Sequence, residues 1–249
     1  MKIATWNIFC LPWWRTFGQS SPESRIDEII EILLDLNLDI ICLQEVLTKY
    51  IANQLEKKLR EKGYYVIKNL NSEKEWGFRN LFEPESYKSG LFIALKFKPL
   101  EYEFIKYNAS TGLDSLISKG FSKIKIKESI YIYLTHMQAG DNSTEKKKRG
   151  EQIEQLLQSL DKDTKNIIIG DFNILSNTDE YNNMIARLSK NNKLVYFDDN
   201  EDHIMFLNFN EKNIYRFKTY DYDKLSDHKL LVCNTTIQEK EKLEKMRIN

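Results

Sequence analysis

The chain has 249 residues, of which 41% are hydrophobic and 12% aromatic, enough for a sizeable core and too apolar for intrinsic disorder. Lys plus Arg and Asp plus Glu both number 37, so no global positive field gathers nucleic acid or anionic lipid, and either would need a local patch. Cys10, Cys42 and Cys233 cannot all pair, which favours buried thiols in a reducing compartment.

Residues 2–7 read as a strand ending at Asn7, with no signal-peptide core before it. No apolar stretch approaches the roughly 20 residues that span a bilayer, so a cytoplasmic protein, peripheral at membranes at most, is expected. Phe9 to Gly18 is an apolar loop carrying Trp13, Trp14 and Phe17 between Pro12 and Gly18. Ser21-Pro22-Glu23 opens a helix with Pro in its first turn, and Ile26, Ile29, Ile30, Leu33 and Leu34 recur at helical spacing. Leu38 to Val46 is a strand, apolar until Gln44 and Glu45; a helix over 48–62 stops at Gly63, and 64–68 is a strand. Residues 69–89 are irregular, with Trp76, Phe78, Leu81 and Phe82 among charges.

Residues 90–97 and 102–107 look like a strand pair, as do 120–127 and 129–135. Asn142-Ser143-Thr144-Glu145 caps a helix that buries Ile153, Leu156, Leu157 and Leu160. Ile167-Ile168-Ile169 is a strand buried on both faces. Gly170 then reads as a turning point, with Asp171 and Asn173 on one side of an extended chain. Unbonded and buried, those two groups would cost several kcal/mol, so they mark a metal or phosphate site, or else a plain turn. A helix over 178–190 and strands over 202–209, 213–218 and 230–235 complete one domain, 1–237, followed by a charged tail, 238–249. Strands outnumber helices and lie too close for helical crossovers, which predicts mainly antiparallel sheets with helices on their outer faces.

Polar residues recur where apolar runs stop: Asn7, Glu45, His136, Asp171 with Asn173, Asp202-His203, and Ser226-Asp227-His228. Neighbouring strand ends converge in a packed sheet, so six such segments can build one cluster, and all three histidines fall within them. Carboxylate and amide oxygens without thiolates suit a hard cation, Mg²⁺ first, with Mn²⁺ or Ca²⁺ as alternatives. Such an ion polarises phosphate oxygens, while an Asp–His pair lifts a proton from water.

Thr5-Trp6-Asn7-Ile8, Leu43-Gln44-Glu45-Val46, Thr135-His136, Gly170-Asp171-Phe172-Asn173 and Ser226-Asp227-His228, in that order, resemble the endonuclease/exonuclease/phosphatase superfamily. Arg149 and Gln152 are also spaced as in that superfamily. The resemblance implies a four-layer α/β/β/α sandwich of two mixed, mainly antiparallel sheets flanked by helices, and divalent-metal phosphoester hydrolysis. Matched residue by residue, it implies metal ligation by Glu45 with Asn7, and Asp227 as a further metal or phosphate-site acid. Asp171 and Asn173 would position water and phosphate. His228 would be the catalytic histidine, oriented by Asp202, with either Asp171 or His228 taking the proton of water. His136 would bind the scissile phosphate or assist the leaving group, and His203, facing away, would be structural.

Within the superfamily, Gly112 to Phe121 with Lys119-Gly120, followed by Thr135-His136-Met137-Gln138-Ala139, resembles neutral sphingomyelinases. That implies phospholipase C-type cleavage of sphingomyelin, or a related phospholipid, to ceramide and phosphocholine. Lys119 either offers charge to the phosphate or is a solvated turn lysine. Trp13, Trp14 and Phe17 would lie at the rim and touch a membrane surface, or bury one another. Ser226-Asp227-His228 is followed by Lys229-Leu230, where the family more usually has an aromatic or apolar residue and Pro. The alternatives are a nuclease acting on nucleic acid, a phosphoinositide phosphatase, and an inactive lipid- or protein-binding scaffold.

Overall fold

The computed structural model describes residues 1–11, 21–68, 89–161 and 163–236. Trp13, Trp14, Phe17, Trp76, Phe78, Leu81, Phe82 and the charged tail lie outside the described residues. The elements run β1 (Lys2–Cys10), α1 (Pro22–Asp35), β2 (Ile40–Val46), α2 (Lys49–Glu61), β3 (Tyr65–Lys68), β4 (Phe92–Leu95), β5 (Glu101–Lys106), β6 (Gly120–Lys127) and β7 (Ile130–His136). Then follow α3 (Ser143–Ser159), β8 (Lys165–Asp171), α4 (Asp179–Ser189), β9 (Leu194–Asp199), β10 (Asp202–Leu207), β11 (Ile214–Tyr220) and β12 (Leu230–Thr235).

The strands form two six-stranded sheets of one plan, ordered β11-β12-β1-β2-β4-β3 and β5-β6-β7-β8-β10-β9. Each is antiparallel except for a central parallel pair, β1 with β2 and β7 with β8. Side-chain alternation then assigns the layers. Ile3, Ile40, Cys42, Leu134, Ile167, Ile169, Ile204 and Phe206 meet between the sheets. Ala4, Trp6, Ile8, Ile41 and Leu43 face outward onto Ile26, Ile29 and Leu33 of α1 and Leu55 of α2. Tyr133, Ile168 and Met205 do the same onto Ile153 and Leu156 of α3 and Met184 of α4. Three apolar interfaces make a four-layer sandwich, and each fully buried Ile or Leu in them contributes roughly 1.5–3 kcal/mol. No helix among the described residues is long and apolar enough to cross a membrane.

The helix starts follow the sequence. The Asn142 side chain accepts from Thr144 and Glu145 N–H at 3.0 and 3.1 Å, and Glu145 accepts from Asn142 N–H at 2.9 Å, a reciprocal cap for α3. Thr48 and Thr178 cap α2 and α4.

Four expectations are corrected. Residues 90–97 and 102–107 do not pair: β4 lies in the first sheet and β5 in the second. β1 does not end at Asn7 but continues to Cys10 through a bulge, with Phe9 at φ +48° and its N–H held by Asn7 Oδ1 at 3.1 Å. β9, not foreseen, is an edge strand that stays half-exposed and shows no clean alternation. Gly170 is not a turn: it sits inside β8 at φ +137°, opposite Thr135, where a Cβ would lie 2.1 Å from the Thr135 carbonyl oxygen. The missing side chain lets two backbones close, and so sets His136 directly opposite Asp171.

Candidate active site

That register lines up a row of polar residues where the apolar runs end. Across the second sheet, His136 of β7 pairs with Asp171 of β8, which pairs with Asp202 of β10. All three share parity with the inward-facing Leu134, Ile169 and Ile204, so they face the gap between the sheets. Asn7 comes from the opposite sheet on the parity of Ile3, and its Nδ2 donates to Asp171 Oδ2 at 3.0 Å. The site therefore caps the inter-sheet core at one end.

Asp171 is 1% exposed and bonded on both oxygens, Oδ1 accepting from Asn173 N–H at 2.8 Å. Burial works against its charge, but the His136 and His228 rings, the Lys119 ammonium and the Asn7 amide outweigh it and hold its pKa below the ordinary value. Asp171 and Asn173 do not meet by strand alternation, because β8 ends at Asp171 and Asn173 is left-handed at φ +52°. The carboxamide is turned instead by that backbone and by its Nδ2 bond to the Met137 carbonyl at 3.1 Å.

Asp202 and His228, 26 residues apart, meet with Nδ1 to Oδ2 at 2.6 Å, leaving Nε2 at 4.0 Å from Asp171 Oδ2. Burial opposes charge on His228, yet the Asp202 bond and the charges of Asp202, Asp171 and Asp227 raise its pKa to about 10. Two residues fix its backbone. Ser226 Oγ donates to the Asn7 carbonyl at 2.6 Å and accepts from His228 N–H at 3.1 Å, and Trp6 Nε1 donates to the His228 carbonyl at 2.9 Å. Asp227 is exposed, its Oδ1 3.4 Å from Ser226 Oγ.

Lys119 is no solvated turn residue. It is 3% exposed, its Nζ 2.8 Å from Asp114 Oδ2, 2.6 Å from the Met137 carbonyl and 3.1 Å from His136 Nε2. Burial first, and the Lys119 charge second, lower the His136 pKa to about 4, so this ring is neutral at physiological pH. The same Nε2 lies 3.4 Å from Asp171 Oδ2, so it sits between a donating ammonium and an accepting carboxylate. Asp114 also accepts from Ala139 N–H at 2.7 Å, a role the sequence hides because only a short 3₁₀ turn over Gly112–Leu116 carries it there. Arg149 and Gln152 act from beneath: Arg149 donates to the Gln138 and Gly140 carbonyls and pairs with Glu180, and Gln152 accepts from Gln138 N–H at 2.9 Å. Together they hold the segment after His136.

Glu45 has the parity of the outward-facing Ile41 and Leu43, but φ +59° redirects it, and it lines a cleft of about 390 Å³ with Leu11, Leu47, Leu113, Lys119 and His136. Among the described residues its Oε2 is enclosed without a hydrogen-bond partner, and burial pushes its pKa up to about 7. A larger depression of about 720 Å³, between the C-terminal ends of α3 and α4, contains none of these groups.

Among the described residues, no three His, Cys, Asp or Glu side chains converge as a metal cage. The donor set nonetheless fits a hard cation that keeps most of its waters. Among the described residues Glu45 Oε2 is a buried carboxylate oxygen lacking a partner, on a left-handed backbone, with the Asp171 and Asp227 carboxylates close enough to add to its raised pKa.

The comparisons agree with this architecture. The family model described as Endonuclease/Exonuclease/phosphatase family matches residues 4–228. Sphingomyelinase C 2 of Leptospira interrogans serogroup Icterohaemorrhagiae serovar Lai (strain 56601) is 25% identical over 210 residues, 77% of this chain and 33% of that protein. Sphingomyelinase C from Streptomyces griseocarneus superposes with a TM-score of 0.71 at 18% identity, covering 95% of this chain and 99% of that one. A beta toxin variant from Staphylococcus aureus, solved with bound magnesium ions, gives 0.70 at 18%, covering 94% and 99%. The chain spans about a fifth to a third of the length of curated relatives it matches. With the family model covering residues 4–228, from before Asn7 to His228, the chain belongs to the endonuclease/exonuclease/phosphatase family.

Proposed function

We propose that the chain is a divalent-metal-dependent phosphodiesterase that cleaves sphingomyelin or a related phospholipid in the manner of a phospholipase C. The observation that carries the reading is the convergence of Asn7, His136, Asp202 and His228 on Asp171, beside the partnerless Glu45 oxygen. Glu45 and Asn7 would hold the ion, Mg²⁺ first and Mn²⁺ second, with Asp227 as a further acid at the surface. When bound, it supplies Lewis-acid polarisation of a phosphoryl oxygen. His228 Nε2 takes the proton of the attacking water while Asp202 keeps the ring's orientation and tautomer. Asp171 and Asn173 position water and phosphate, and neutral His136 with Lys119 faces the phosphate side of the cleft. Water oxygen bonds to phosphorus, the bond from phosphorus to the ceramide oxygen breaks, that oxygen takes up a proton from solvent, and His228 returns its proton to solvent.

Two observations favour a lipid. The cleft joins this polar floor to Leu11, Leu47, Ile117 and the 73% exposed Leu113, an amphipathic lining for an amphipathic substrate. Of the dense basic run Lys146-Lys147-Lys148-Arg149 at the start of α3, which a nuclease would use, Arg149 is buried against Glu180 and Lys148 pairs with Glu151, which leaves Lys146 and Lys147 exposed. The names of the relatives point the same way. A Mg²⁺-supplemented panel tests it, with sphingomyelin vesicles, an abasic or single-stranded oligonucleotide and inositol polyphosphates assayed side by side. Phosphocholine release from the vesicles is expected to be fastest. Turnover of the oligonucleotide alone overturns the lipid reading, and turnover of none overturns the enzymatic one.

A further inference from the structure

β10 presents Asp202 and His203 in succession, and the pleat sends them to opposite faces. Asp202 reaches His228 in the gap between the sheets. His203 is 0% exposed on the other face, against the edge of Phe172 with ring centroids 5.1 Å apart, and against Tyr181 at 5.4 Å. Its Nε2 lies 2.9 Å from the Ile174 carbonyl oxygen. Carbonyl oxygens only accept, so this nitrogen carries the proton.

Ile174 directly follows Asn173, the left-handed residue whose carboxamide faces Met137. A non-glycine residue in that conformation persists where its surroundings over-determine it. The turn between β9 and β10 supplies that restraint. Phe172 N–H donates to the Glu201 carbonyl at 2.9 Å, Ser176 N–H donates to the Asn200 carbonyl at 2.9 Å, and His203 grips the residue between them. The outer two bonds are backbone to backbone and survive any substitution. The central one depends on a single side chain. Packing alone does not require a histidine here, because a phenylalanine would fill the space between Phe172 and Tyr181 at no polar cost, whereas His203 Nδ1 is enclosed without a partner among the described residues.

We infer that His203 is a positioning residue: its Nε2–H, donated to the Ile174 carbonyl, fixes the Asn173 carboxamide, so that one strand sets both arms of the site. Asp202 aims His228 and His203 aims Asn173. The inference rests on the reading that Asn173 acts on water or phosphate, and Asn173→Ala is therefore measured in parallel.

His203→Phe keeps the ring and removes the donor, whereas His203→Gln places an amide N–H near the position of Nε2. On a soluble chromogenic phosphodiester, kcat is expected to fall about tenfold in His203→Phe with KM unchanged, the scale of one mispositioned hydrogen bond, and to stay within about threefold of wild type in His203→Gln. Wild-type kcat in His203→Phe, or equal losses in the two variants, overturns the inference. Where His203→Phe does not fold, His203→Met takes its place against His203→Gln, with the same two outcomes. Full activity in Asn173→Ala overturns instead the role of Asn173 on which the inference stands.

Discussion

Glu45→Gln lowers kcat by about 10³-fold or more, the scale of losing several kcal/mol of Lewis-acid stabilisation, while leaving the metal-free protein at least as stable as wild type at pH 8. The two halves of this result have one cause. Glu45 Oε2 is enclosed with no donor, so in the metal-free protein its charge is a cost and burial lifts its pKa to about 7. A carboxyl whose folded pKa lies above its unfolded value holds its proton more tightly when folded. Stability therefore falls as pH rises from about 4.5 to about 7, and stays lower above that. Gln removes this slope. An ion on the carboxylate reverses it, so Mg²⁺ raises the wild-type Tm more at pH 8 than at pH 5 and leaves the Tm of Glu45→Gln unmoved. Thermal unfolding at both pH values, with and without Mg²⁺, reads out all four cases. A Mg²⁺ shift that survives in Glu45→Gln contradicts the assignment.

Asp202→Asn costs about 10²–10⁴-fold in kcat, the range seen when a catalytic histidine loses its orienting carboxylate. It also moves the pH dependence. Burial disfavours charge on His228, but the 2.6 Å bond to Asp202 and the surrounding carboxylates raise its pKa to about 10. As a base, His228 must first lose that proton, so kcat/KM rises with pH through the neutral range. Asparagine removes the strongest of the groups that raise the pKa, and the rising limb shifts to lower pH beneath a reduced plateau. Stability moves with it. The raised His228 pKa contributes stability that is full below about 6.5 and lost towards pH 10, burial of Asp202, raised to about 7, costs stability as pH rises from about 3.8, and the variant lacks both contributions. A kcat/KM that falls above neutral pH, with its limb unmoved in the variant, would assign the base to Asp171 and leave His228 as a cation.

Much of this architecture was legible because β-sheets write their layers into alternation. Ile167, Ile168 and Ile169 announce a strand buried on both faces, and the ends of such strands announce Asn7, Glu45, His136, Asp171 and Asp202. Which strands pair is a different matter. β4 and β5 are neighbours in the chain yet enter different sheets, since sequence proximity carries no information about which sheet edge is open. β9 escaped because a half-exposed edge strand need not alternate. Within the site, residue identity was visible and backbone conformation was not. Nothing in Leu43-Gln44-Glu45 reveals the left-handed turn that swings Glu45 from the helical side into the cleft. Nothing in Gly112 to Gly120 reveals that Asp114 pairs with Lys119, whose buried ammonium lies against His136. Gly170 was visible, but its service to the register of His136 and Asp171 depends on Thr135 of β7, which lies opposite it and 35 residues earlier in the chain.

A site built this way should direct water onto phosphorus rather than onto the ceramide carbon. Hydrolysis of sphingomyelin vesicles in ¹⁸O-enriched water with Mg²⁺, followed by mass analysis of both products, distinguishes the two points of attack. One ¹⁸O atom should appear in phosphocholine and none in ceramide. Label in ceramide, or no cleavage under conditions where the protein is folded and Mg²⁺ raises its Tm, would contradict it.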